Sequence, residues 1–401
     1  MDILSRLAEP ASWEAYFAHK TEKGILTGKD AEDMRSFIDN REYLPVTENI
    51  ANGGEFLPPV KSLISKKNTR KKRVVYTFSR EENYVLKLIT FMLRDYDDAF
   101  APNLYSFRKE RGVKRATNEI LRVRNLPQYF VYKADISDYF NSADVEILIP
   151  MLSEILSQDG RLFEFFKRLL RSSFVNFEGE IITEQKGMMA GVPLSTFFAN
   201  VYLRELDFYF YERKIPYMRY SDDIIVFGKS REEIEEYRCI IGEFLKDRRL
   251  SMNPDKEAVF EPHEEWTFLG FSYNNGVVDI SDVSFQKLKA KMRRKARALE
   301  RWARRKNLPC ELAARAFVKR FNTKLYDNPV HSELTWTRWF FPVINTDRTL
   351  RRIDEYMEDT IRYLATGTRT KARYGFRYED IKALGFRSLV NEYHKHKKSE
   401  K

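Results

Sequence analysis

Polar and apolar positions change rhythm several times along this 401-residue chain. Residues 1 to about 60 have the spacing of short helices and close in the turn-rich stretch ENIANGGEFLPPV. A basic loop, KKNTRKK, then leads into a β-rich run and an amphipathic helix within RVVYTFSREENYVLKLITFMLRDY. From about Gln128 to Tyr273 strand and helix patterns alternate, which predicts a mixed α/β sheet. Everything after about Ser281 reads as mostly helical.

Three stretches of the alternating section carry the argument. QYFVYKADISDYF holds a strand-like run that ends at Asp135, with Asp138 three residues on. PLSTFFANVYLRELDFYFYERK predicts one long buried helix, entered through the turn GVP with Ser195 near its start. RYSDDIIVFG predicts a hairpin: Met218 and Tyr220 lead in, Ser221 to Asp223 form the tip, and Ile224 to Phe227 lead out.

Composition narrows the class. The length allows two or three compact units, and no apolar run of eighteen or more residues is present, which argues against a membrane span. The N-terminus lacks a basic region followed by an apolar stretch, so the expected compartment is the cytoplasm. Cys239 and Cys310 stand far apart with no CxxC partner, and both read as packing residues rather than zinc ligands or a disulfide. Charge is unevenly placed: from Ser281 onward there are 30 Lys+Arg against 14 Asp+Glu, while the first 280 residues carry 40 against 45. A weakly acidic body with a basic C-terminal section suggests that the latter holds a polyanion. The basic run KLKAKMRRKARALERWARRK supplies the candidate contacts Lys287, Lys291, Arg293, Arg294, Arg297, Arg301, Arg304 and Arg305, against the plainer reading of a solvated helical face.

Two adjacent acids walled in by apolar residues repel each other and lose hydration. An Asp-Asp pair is commonly an exposed turn, but these flanks are too apolar for one. A strand-end Asp135 and a hairpin-tip Asp222 and Asp223 can converge and offer the hard oxygen ligands that Mg²⁺ prefers. Two such ions about 4 Å apart activate a hydroxyl and neutralise a leaving pyrophosphate.

These residues also resemble a known family. YSDD in its hairpin is similar to the Tyr-X-Asp-Asp box of reverse transcriptases, and ADISDYF to their first palm motif. SFRKERG resembles the fingers motif before the palm, GMMAGVPLSTFFANVYL the motif B loop and helix, LSMNPDKE the Asn-Pro-X-Lys motif, and WTFLGF the primer-grip turn with Trp266, Leu269 and Gly270. The resemblance implies a right-hand polymerase of α/β (α+β) class: an N-terminal helical extension over 1–60, fingers and a mixed palm sheet over 61–280, and a basic helical thumb over 281–401. It implies that Asp135, Asp222, Asp223 and the Ile136 carbonyl hold two Mg²⁺ ions, with Mn²⁺ as a substitute. Lys72 and Arg73 would meet the triphosphate, Phe140 would exclude a 2′-hydroxyl, Gly191 would approach the nucleotide, and Lys256 would assist departing pyrophosphate. Ala190 departs from the family, standing where many relatives have Gln.

With no nuclease-like segment apparent after the thumb, the chain is most similar to stand-alone, defence-associated bacterial reverse transcriptases acting with a non-coding RNA. That resemblance implies dNTPs as substrates and cDNA as product. Retron-type and maturase-type enzymes, an RNA-binding scaffold with a vestigial palm, and template-independent or protein-primed DNA synthesis remain the alternatives. The primer and the oligomeric state stay open.

Overall fold

The computed structural model describes residues 2–26, 28–65, 72–326 and 335–399. The basic loop expected over KKNTRKK lies outside the described residues for positions 66–71. Two compact units are present, one containing Lys29–Pro262 together with the chain up to Glu22, the other Lys23–Gly28 and the chain from His263 onward. No helix among the described residues is long and apolar enough to cross a membrane.

The first unit has two four-stranded sheets. Strands β1 (Val60–Ser65), β2 (Lys72–Thr77), β4 (Phe174–Phe177) and β5 (Glu180–Thr183) form one, in the order β2-β1-β4-β5. The other is β6 (Tyr217–Tyr220), β7 (Asp223–Gly228), β3 (Phe130–Asp135) and β8 (Ala258–Phe260), in that order. Each neighbouring pair in this second sheet runs antiparallel. The reason is the hairpin: β6 runs parallel to β3, but the tight turn after it sends β7 back, and β7 is the strand that pairs with β3. A parallel pairing occurs instead in the other sheet, at Val60 and Asn176.

The N-terminal helices belong to this unit's core. Trp13 is buried, stacks on Tyr43 at 4.8 Å and donates its indole N–H to the Leu7 carbonyl. Asp159 accepts from the Ile3 amide while capping the helix Gly160–Arg171. The helix Arg80–Met92 starts in a capping box between Ser79 and Glu82, which fixes where the amphipathic pattern begins.

The expected single helix after the GVP turn is two, Ser195–Tyr202 and Arg204–Glu212, broken at Leu203. Carbonyls that would continue the first helix are taken by side chains: Ala199 accepts from the Tyr139 hydroxyl, and Asn200 from the Arg219 guanidinium at 3.3 Å. Periodicity is blind to such competition, because both segments keep an apolar face.

The second unit has a three-stranded sheet, β9 (Trp266–Phe268), β10 (Phe271–Asn274) and β11 (Val277–Ile280), ordered β11-β10-β9, followed by helices. Its longest helix, Asp282–Arg305, buries Phe285, Leu288, Met292, Ala296, Leu299 and Ala303, a seam of three- and four-residue steps. That seam packs on the helices Cys310–Leu325 and Arg348–Thr366. Cys239 and Cys310 are exposed thiols, not the packing residues expected; Cys239 lies on the outer face of an amphipathic helix and Cys310 begins one.

Candidate active site

Strand β3 lies between β7 and β8, so its apolar residues are covered and its C-terminal end points out of the sheet with Asp135. Register does the rest: Asp135 stands opposite Asp223, the first residue of β7. Asp222 occupies the turn, and its carbonyl accepts from the Ile136 amide at 3.2 Å. One carboxylate oxygen from each of Asp135, Asp222 and Asp223 lies within 4.8 Å of the others. Asp138 is exposed and precedes the short helix Tyr139–Ser142.

A buried ion pair holds the turn. Arg219 and Asp207 are both fully buried and meet in a bidentate contact at 2.5 and 2.8 Å, with the Tyr217 hydroxyl on the same carboxylate. The same guanidinium donates to the Ser221 carbonyl at 3.2 Å. Burial raises the Asp207 pKa against the pull of Arg219, while that carboxylate holds Arg219 above its own ordinary value in spite of burial. The Ser221 amide donates to the Ser106 hydroxyl at 2.8 Å, and Asn200 donates to the Ser106 carbonyl at 3.0 Å. Ser221 has φ +62, a left-handed conformation uncommon for a residue with a side chain. These partners keep it there.

The electrostatics favour a cation. Burial first, then the neighbouring Asp222, push the Asp223 carboxyl up to about 6, against the pull of Lys133. Burial and Asp135 likewise raise Asp222. Lys256 meets Asp135 at 2.6 Å, and Asn253 donates to the other oxygen at 3.2 Å. Desolvation lowers the Lys256 pKa, but the hydrogen bond to Asp135 and the surrounding carboxylates outweigh it and raise the pKa overall. An all-oxygen donor set whose members resist being charged together fits a divalent ion.

The motif B loop is fastened to the neighbouring sheet. Gly191, at φ +100, lies where a Cβ would come within 3.0 Å of the Tyr76 carbonyl, and the Ala190 carbonyl accepts from the Tyr76 amide at 2.8 Å. Asn141 bridges the two, donating to the Val74 carbonyl and accepting from the Ala190 amide. Lys72 and Arg73 are exposed on β2, the strand that carries Val74 and Tyr76. Phe140 is half-buried against Tyr139, with its carbonyl bonded to the Met188 amide at 2.7 Å.

A model for "Reverse transcriptase (RNA-dependent DNA polymerase)" matches residues 64–273, just over half of the chain. The chain belongs to the reverse transcriptase family. The group II intron-encoded protein LtrA of Lactococcus lactis subsp. cremoris is 23% identical over 213 residues, 53% of this chain and 35% of that protein. The chain thus matches about a third of that relative's length. Among solved structures, truncated apo telomerase from Candida tropicalis aligns over 56% of this chain and 55% of its own, at 15% identity and TM-score 0.45. Telomerase from Candida albicans in complex with a TWJ fragment of telomeric RNA aligns over 82% and 62%, at 14% identity and TM-score 0.44.

The first unit brings Asp135, Ile136, Asp222, Asp223 and Lys256 together. The residues read as a primer grip belong to the second unit, where Trp266 is buried and stacked on Tyr273 at 4.0 Å and the Gly270 carbonyl accepts from Ser281 and Ser284. On the helix Asp282–Arg305, Lys287, Arg293, Arg294, Arg297, Arg301, Arg304 and Arg305 are exposed and Lys291 is half-buried; Arg304 is paired with Glu300 at 3.2 Å. Sequence reading passed over Arg219 and Asp207 as a pair, and Asn141 and Asn253 as clamps. The available signal was a lone arginine in the apolar run YMRY and a lone aspartate in the apolar stretch LDFYF.

Two outcomes follow. Arg219→Gln leaves Asp207 buried without its cation and destabilises the first unit by about 3–5 kcal/mol, while Arg219→Met with Asp207→Leu recovers most of that loss in urea unfolding. Asp223 titrates near 6 when folded and near 3.8 otherwise, so its ionisation works against folding above pH 6. In chelator, Asp223→Asn therefore raises the melting temperature at pH 8, and the gain fades as pH falls through 6; a gain that persisted at pH 4 would contradict this.

Proposed function

We propose that this protein is an RNA-directed DNA polymerase, and the observation that carries the proposal is the convergence of Asp135, Asp222 and Asp223 at one end of the antiparallel sheet. A binding scaffold has no use for acids whose burial and mutual repulsion raise two of their pKa values. On this reading Asp135, Asp222, Asp223 and the Ile136 carbonyl hold two Mg²⁺ ions, which when bound activate the primer hydroxyl and offset charge on the departing pyrophosphate. Residues 61–280 act as fingers and palm, 281–401 as thumb, and 1–60 as an N-terminal helical extension.

The chain's own groups have separable tasks. Arg73, with Lys72 beside it, offers the triphosphate a planar fork of donors. Phe140 lies under the sugar and rejects a 2′-hydroxyl. Gly191 lets the loop backbone approach the nucleotide, while Ala190 offers it no side-chain donor. Lys256, kept protonated by the carboxylates around it, balances Asp135 and supplies positive charge to leaving pyrophosphate. The primer rests on the turn with Trp266, Leu269 and Gly270, and the exposed cations of Asp282–Arg305 track the nucleic-acid backbone.

The proposed template is a cognate structured non-coding RNA, the product its cDNA, and the setting bacterial antiphage defence in the cytoplasm. The resemblance to stand-alone defence-associated reverse transcriptases supports that setting. The test is to sequence RNA and DNA that copurify with wild type and with Asp222→Ala, Asp223→Ala. Complementary DNA to a bound RNA is expected with wild type alone; the same RNA on both proteins, with no DNA even during phage infection, would reduce the fold to a scaffold. Phe140→Val should raise ribonucleotide incorporation relative to deoxynucleotide by about tenfold or more in primer extension.

A further inference from the structure

The second unit contains a hollow that polymerase chemistry does not use. The helices Asp282–Arg305 and Arg348–Thr366 pack together, and between them lies a cavity of about 240 Å³ lined by the small residues Ala296 and Thr360 among others. Tyr356 and Tyr363, one on each side of Thr360 along the same helix, supply aromatic walls. After Gly367 the chain turns back and lays Arg369 over the Tyr363 ring, with 4.7 Å from guanidinium carbon to ring centre. Arg373 lines the same hollow and is tethered to Asp359 at 2.8 Å.

The charge is unbalanced. Arg293 and Arg297 face the hollow from the other helix and have no ion-pair partner among the described residues. Four guanidinium groups therefore surround one carboxylate, Asp359. A purely structural network would pair its cations, as Arg373 does. Unpaired guanidinium groups beside a ring already stacked on another cation are the chemistry of phosphate and base recognition together. The concavity admits a flat base only after that base has left a helix.

We infer that this hollow binds one unpaired nucleotide of an RNA strand, its base against Tyr363 and Arg369 and its phosphate on Arg293 and Arg297. This rests on the RNA-handling function proposed above, and it gives two of the backbone-tracking cations, Arg293 and Arg297, one particular nucleotide to hold.

The test uses full-length protein and a single-stranded RNA carrying one 2-aminopurine, whose fluorescence is quenched by stacking. Wild type and Tyr363→Phe should bind and quench alike, whereas Tyr363→Leu should weaken binding about tenfold and abolish the quench, and Arg369→Gln should weaken both. Equal quenching by Tyr363→Leu would overturn the inference. Quenching of free 2-aminopurine nucleotide as strong as that of the strand would also overturn it, by giving the pocket to mononucleotides. Extension of a simple template–primer is measured in parallel: a Tyr363→Leu protein that extends normally but has lost the quench separates the pocket from the polymerase. A wild type that quenches but never extends would sink the polymerase reading and leave the pocket standing.

Discussion

Three carboxylates brought within a few ångströms repel one another, and much of the first unit can be understood as the structure that withstands this. Two devices share the work. Backbone pairing between β3 and β7 sets Asp135 opposite Asp223, and a one-residue slip would turn the facing side chains to the other side of the sheet. Beneath the turn, the Arg219–Asp207 pair grips the Ser221 carbonyl and closes the preceding helix by drawing on its last carbonyls. A buried ion pair is weak evidence of stability in general, but here it specifies a conformation: Ser221 stays left-handed and Asp222 stays at the tip.

The same unit couples the acid end of one sheet to the cationic strand of the other. Asn141 sits a few residues beyond Asp135 and bonds both to β2 and to the motif B loop. Gly191 lets that loop lie against β2 closer than a side chain would allow. The position of Lys72 and Arg73 on β2 is therefore tied, through the Asn141 side-chain amide and the Tyr76–Ala190 backbone bond, to the segment that follows the first acid. Rigidity of this kind suits a site that must hold reacting groups to a fraction of an ångström. It also gives Ala190 a role in spite of its missing donor, since its amide and its carbonyl are both engaged.

In the second unit one helix serves two purposes without conflict. The apolar seam from Phe285 to Ala303 packs inward, and the cations between those positions fall on the outer face. Small residues in the seam shape the surface as well as the core. Ala296 and Thr360 both line a hollow rather than a filled contact, and cations gather around it.

Much of this was legible before any coordinates. The strand ending at Asp135, the YSDD hairpin and the basic amphipathic helix are local patterns, decided by side-chain alternation, turn chemistry and helical spacing, which act over a few residues and so are written in consecutive letters. The break at Leu203, the antiparallel order of the sheet and the exposure of Cys239 and Cys310 were not, because each depends on what lies across from a segment rather than within it. Residue type and order alone determined that three acids sit at the ends of apolar strands and that positive charge gathers after Ser281. Only the tertiary structure decided that Arg219 and Asp207, twelve positions apart, would neutralise each other under the turn, and that Asn141 would join a loop to a strand. Competition among hydrogen-bond donors for one carbonyl is settled in space, and a linear pattern carries no record of which donor wins.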